Sequence, residues 1–149
     1  GLVTFPPLTR WVQVLAPTII TPERFNGLLA SAYGPGFSVT PEVEAGYARV
    51  LQTENWQNGF VGLVRDAAGN ALTLEQAAAL DFPTLITWGA QDTWIPVAQG
   101  AALRDALEDA QRQVTWHAYA EIGHLPMEEA PTAFNRDLIA FLTTLLEQN

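Results

Sequence analysis

The 149-residue chain has no cysteine, which excludes disulfides, thiolate metal sites, iron–sulfur clusters and cysteine nucleophiles together. A chain without thiols is indifferent to redox conditions. No charged stretch precedes an apolar one near Gly1, so no signal peptide is visible, and a leader removed with upstream residues would leave the same pattern. A cytoplasmic location is the expectation. Basic residues are scarce: seven Lys and Arg face sixteen Asp and Glu, a net charge of -9 at pH 7. A surface that acidic repels a phosphate backbone, so nucleic acid is not an expected partner. Runs of about 18 apolar residues are missing, which excludes a spanning helix, and no stretch is basic and amphipathic enough to lie on anionic lipid. What remains, 48% hydrophobic and 15% charged residues, describes a soluble globular protein able to bury a core.

The first half is patterned for helices. Thr21-Pro22-Glu23 supplies an N-cap, a proline at the first helical position and an early acid. Phe25, Leu28, Leu29 and Ala32 then recur at helical spacing until Tyr33-Gly34-Pro35-Gly36 stops the helix. Thr40-Pro41-Glu42 repeats the start signal, with Val43, Tyr47, Val50 and Leu51 as the next apolar stripe. The residues after the two TPE triplets do not match, so shared capping chemistry explains them and an internal repeat does not. A third helix, interrupted by glycines, is expected from about Trp56 to Arg65, ending before Ala67-Ala68-Gly69-Asn70.

From Leu80 the pattern becomes strand, helix, strand, helix. Pro83 to Trp88 is short, apolar and bounded by Pro and Gly89, which predicts a strand buried on both faces and therefore flanked by a further strand. Pro96 to about Gln111 reads as a helix with Val97, Ala101, Leu103, Ala106, Leu107 and Ala110 inside. Gln113 to Tyr119 alternates like a strand near a sheet edge, and Pro131 opens a last helix with Phe134, Leu138, Phe141, Leu142 and Leu145 as its stripe. That order makes the fold class α/β, with two parallel strands joined by a right-handed crossover. Residues 1–70 are expected to form a mainly helical region and residues 71–149 the βαβα part.

In open α/β sheets the ligand crevice lies beyond the carboxyl ends of the strands. Asp92 follows the first strand in Gly89-Ala90-Gln91-Asp92, and His124 follows the second in Glu121-Ile122-Gly123-His124. Neighbouring strands lie about 4.8 Å apart, so short loops can bring carboxylate and imidazole into hydrogen-bond reach. Such a contact fixes the tautomer and leaves the other ring nitrogen free to take a proton from a nucleophile. The plainer readings are a turn aspartate and a packed or surface histidine.

The segment Pro83 to Asp92, continuing through Trp94-Ile95-Pro96, resembles the strand-and-acid segment of the α/β-hydrolase fold superfamily. Gly123-His124-Leu125-Pro126, then Glu129-Ala130-Pro131 and Phe134, resembles its histidine loop and terminal helix. The resemblance implies the carboxyl-terminal portion of such a fold, a helical cap followed by two parallel strands with flanking helices. It makes Asp92 the triad acid and His124 the general base, with no cofactor, and it makes the helical region the cap that closes over a small-molecule substrate.

One piece of that pattern is missing. The nucleophile should precede the acid on a G-x-S-x-G elbow, with an oxyanion donor from an earlier loop. The chain has two serines: Ser31 lies in a predicted helix, and Gly36-Phe37-Ser38-Val39-Thr40 lacks the second glycine and a preceding strand. Asp66 and Asp81 have no glycine-flanked elbow. The expected partner is therefore an N-terminal segment of the same gene product that carries the elbow. Trp94 and Leu125, and Trp56 and Phe60 on the cap, are candidates to line the substrate pocket, against the plainer reading that they pack. His117, on the strand, has no metal-pair spacing with His124, so no metal is expected. Glu128 and Glu129 read as a solvated helix start. The leading function is a hydrolase of esters or related small molecules that this chain alone cannot complete. A non-catalytic binding module that keeps the fold is the alternative from another class, and a cofactor-free oxidative enzyme on the same scaffold is a third.

Overall fold

The computed structural model describes residues 20–69 and 72–148, and the chain divides into two compact units. The first unit comprises residues 1–30 and 39–71, and the second residues 31–38 and 72–149. Residues 1–19 of the expected helical region lie outside the described residues.

Among the described residues the first unit is helical. Helix α1 is Pro22–Ala30, α2 is Pro41–Ala48 running into a 3-10 turn at Arg49–Gln52, and α3 is Trp56–Gly69. Capping chemistry starts α2, where the Thr40 hydroxyl accepts from the Val43 amide at 3.4 Å. The same local chemistry holds the Glu23 carboxyl below its ordinary range through a hydrogen bond with Thr21. Three expectations are corrected here. Helix α1 ends three residues before Tyr33; of its expected stripe Leu29 is buried within the helix and Ala32 is buried beyond its end, while Leu28 points outward. The tightened turn after Ala48 leaves Val50 exposed. Glycines do not break α3, which runs four residues past Arg65; a Cβ at Gly59 or Gly62 would meet nothing within 4 Å, so neither position forces a turn.

The second unit is the βαβα part. Helix α4, Leu74–Ala78, opens on a complete capping box between Thr73 and Gln76. Strand β1 is Thr84–Gly89, α5 is Val97–Asp109, β2 is Val114–Tyr119, α6 is the single turn Pro126–Glu129, and α7 is Pro131–Glu147. The two strands pair in parallel from Thr84 opposite Val114 to Gly89 opposite Tyr119. Parallel pairing requires a crossover, and α5 supplies it. Helix α5 covers the face carrying Ile86, Trp88 and Trp116, and it comes close because residue 100 is glycine: a Cβ there would press on the Trp88 and Trp116 rings. Burial of β1 on both faces is not what the structure shows. Ile86 and Gly89 are buried while Leu85, Thr87 and Trp88 are half-buried, because the described sheet has two strands and covers each face incompletely. Along α7 the buried residue is Asp137 instead of an apolar one, and Leu142 is exposed.

Candidate active site

Both loops at the carboxyl ends of the strands are fixed by backbone bonds to each other. The Ala90 amide donates to the Tyr119 carbonyl and the Gln91 amide to the Ile122 carbonyl, each at 2.9 Å. Gly89 allows this approach, since a Cβ there would run into the Gly123 and Ile122 carbonyl oxygens.

Asp92 is thereby aimed at His124. Its Oδ1 accepts from the Trp94 and Ile95 amides, both at 2.9 Å, and its Oδ2 lies 2.8 Å from His124 Nδ1. The Asp92 side chain is 3% exposed and the imidazole 28%. A carboxylate only accepts, so Nδ1 donates in this contact, and in the neutral ring that tautomer leaves Nε2 as the acceptor. The pair borders a cavity of about 130 Å³ lined by Thr87, Trp88, Gly89, Asp92, Ile95, His124 and Pro126.

Residues 31–38, which include the expected helix stop Tyr33-Gly34-Pro35-Gly36, lie against this loop. The Ala32 carbonyl accepts from the His124 amide at 2.6 Å. Ser31, expected in a helix, follows the end of α1; its hydroxyl accepts from the Trp94 indole at 2.9 Å and its carbonyl from the Thr93 hydroxyl at 2.9 Å. The Trp94 and His124 rings are tilted against each other with centroids 5.1 Å apart. Glu128 and Glu129 are not a solvated helix start. Tyr33 donates its hydroxyl to Glu128 Oε2 at 2.6 Å, and Glu129 accepts from the backbone amides of Gly34 and Gly123.

No family model matches the chain. A curated 2-hydroxy-6-oxononadienedioate/2-hydroxy-6-oxononatrienedioate hydrolase from Pseudomonas sp is 23% identical over 145 residues, which is 95% of this chain and 50% of that protein. Among solved structures, a serine hydrolase involved in carbazole degradation (the CarC enzyme) superposes with a TM-score of 0.73 at 21% identity, over 83% of this chain and 48% of that one. The chain has the carboxyl-terminal part of an α/β-hydrolase fold. A membrane phospholipase A described as a bacterial virulence factor shares it, with a TM-score of 0.64 at 21% identity over 83% of this chain and 38% of that one. The chain thus spans about half the length of the curated relative it matches.

Within this hydrolase fold the other candidates fall as follows. Trp94 reaches His124 and Ser31 but does not line the cavity, and neither does Leu125, whose amide points to Glu129. Trp56 and Phe60 sit on α3 in the first unit, one half-buried and the other exposed. No group of three or more metal-ligating side chains occurs among the described residues. His117 lies 3.8 Å from Asp137 Oδ2 on the other face of β2. There Tyr119 donates to Asp137 at 3.0 Å, and burial followed by that bond pushes the phenol up to about 12. The Arg136 guanidinium, bonded at 2.7 Å, leads the influences that hold the Asp137 carboxyl below its ordinary range. No helix of the described residues is long and apolar enough to cross a membrane.

Proposed function

We propose that this chain supplies the acid, the base and a helical cap to a hydrolase that cleaves esters or related small molecules through a nucleophile, His124 and Asp92. The observation that carries the reading is the 2.8 Å contact between Asp92 Oδ2 and His124 Nδ1 at adjacent parallel strand ends, beside a cavity. In that geometry Asp92 holds the imidazole with Nε2 as acceptor. Nε2 takes the proton as the nucleophile attacks and returns it to the leaving group, while the carboxylate stabilises the imidazolium between the two steps. The curated relative is named as a hydrolase of a dienedioate, and we carry over from it hydrolytic cleavage of a small molecule.

We assign the nucleophile and the oxyanion donors to an N-terminal segment of the same gene product. Neither Ser31 nor Ser38 lies between a strand and a helix, where a strained turn would present the hydroxyl. The cavity, about 130 Å³, is also well below the roughly 300–1,000 Å³ usual for small-molecule sites. The test is release of p-nitrophenol from p-nitrophenyl acetate and butyrate by the full gene product. Saturable turnover is expected. A folded protein that binds such esters without cleaving any of them is instead the binding module, and the hydrolase reading falls.

A further inference from the structure

We infer that Glu129 is a positioning residue for His124, its carboxylate joining the histidine loop to segment 31–38 and so setting where the imidazole stands. The inference deepens the triad reading, on which it rests for what the positioned ring does; the tether itself is independent of it.

Three consecutive backbone amides, those of residues 123, 124 and 125, have to be satisfied in this loop. Glu129 Oε1 accepts from Gly123 at 2.9 Å and Leu125 at 3.4 Å, and the amide between them donates to the Ala32 carbonyl at 2.6 Å. The second oxygen, Oε2, accepts from the Gly34 amide at 2.8 Å. One carboxylate therefore holds both neighbours of His124 and also the strand of chain that holds His124 itself. Such charge-assisted bonds are the strong kind, and the surroundings here are closed. Ala32, Gly34 and Gly123 are all buried. A Cβ at Gly123 would stand 2.5 Å from the Ala32 oxygen and the Gly34 nitrogen, so the two backbones touch without slack.

Asp92 is held separately, by the Trp94 and Ile95 amides. Its contact with Nδ1 survives only if the histidine loop stays where it is, and on both sides of His124 the loop's amides are held by Glu129. Removing the carboxylate leaves buried amides unpartnered and lets the loop move relative to the acid.

Glu129→Ala removes the acceptors of the Gly123, Leu125 and Gly34 amides. Glu129→Gln keeps one oxygen and turns a donor toward the other amides, so it should fall between wild type and alanine. Both are made in the full gene product and read two ways. Proton NMR follows the low-field Nδ1–H resonance of His124, and p-nitrophenyl acetate hydrolysis gives kcat and KM. The Nδ1–H resonance is expected to vanish in the alanine variant and to weaken in the glutamine variant. A displacement near 1 Å costs about 100-fold, so kcat should fall by about that factor in Glu129→Ala and about tenfold in Glu129→Gln, with KM within about threefold of wild type. Wild-type NMR and kcat in Glu129→Ala would overturn the inference. So would failure of both variants to fold, which would make Glu129 part of what holds the unit together. If the wild-type protein cleaves no ester while the resonance responds as stated, the hydrolase reading falls and the positioning role stands. Full turnover in the variants, with His124→Ala inactive, gives the reverse.

Discussion

Replacing Asp92 by Asn changes one atom, and the surrounding bonds dictate what that atom does. Oδ1 accepts from two backbone amides, Trp94 and Ile95, each at 2.9 Å. Those donors select the amide oxygen of asparagine for the Oδ1 place. The NH2 group then takes the Oδ2 place, 2.8 Å from His124 Nδ1. A donor facing Nδ1 forces the proton to Nε2, which is the nitrogen that must accept one. The side chain still fits and both amides keep their partner, so the fold should tolerate the change. Turnover should fall by about 10⁴-fold, the loss expected when a triad histidine is held in the wrong tautomer. At about 1.36 kcal/mol per tenfold, that is about 5.4 kcal/mol of transition-state stabilisation. The assay is kcat for p-nitrophenyl acetate with the full gene product, beside a thermal unfolding curve. Asp92→Ala serves as contrast: it strips both amides of their acceptor and should lose stability as well, by about 1–3 kcal/mol. An Asp92→Asn variant that stays folded and works within tenfold of wild type would refute the reasoning.

Other consequences are tested more simply. Tyr119 has a folded pKa of about 12 against an ordinary 10.0, so its contribution is complete below pH 10 and lost as pH rises through 12; urea unfolding across that range should show the loss in wild type and not in Tyr119→Phe. Asp137, held low first by its bond to Arg136, contributes above its ordinary value of 3.8 and loses that contribution as pH falls, so Asp137→Asn should flatten the acid limb of the same curve. Gly100→Ala places a methyl 2.5 Å from the Trp88 ring and should destabilise by about 1–3 kcal/mol, read by tryptophan fluorescence during denaturation.

The elements nearest the site were legible because proline and glycine punctuate them. Pro83 and Gly89 bracket β1 to within a residue, Pro131 opens α7, and the short loops after the two strands carry Asp92 and His124. Local signals also misled. Gly59 and Gly62 carry the signal of helix breakers, yet they lie in open space where a helix accommodates them, and the helix that the Thr73–Gln76 capping box starts is five residues long, too short to show an apolar period. Stripe positions such as Leu28 and Leu142 were assigned by period alone, which does not say how wide the packed face is. The shell around His124 was illegible for a different reason. Tyr33 and Gly34 meet Glu128 and Glu129 across 95 positions in the chain, and two adjacent glutamates before Ala130-Pro131 carry no mark distinguishing a solvated turn from a pair of acceptors for a distant backbone.

The central claim is that the nitrogen of His124 facing away from Asp92 moves the proton in hydrolysis. It is tested most directly by comparing turnover of p-nitrophenyl acetate by the full gene product in wild type, His124→Ala and His117→Ala. The account predicts a loss of several orders of magnitude, about 10⁴-fold or more, at His124 with the fold intact. At His117, beside Asp137 on the opposite face of β2, it predicts turnover within a few-fold of wild type. Equal losses at the two positions, or a folded His124→Ala protein as active as wild type, would contradict it.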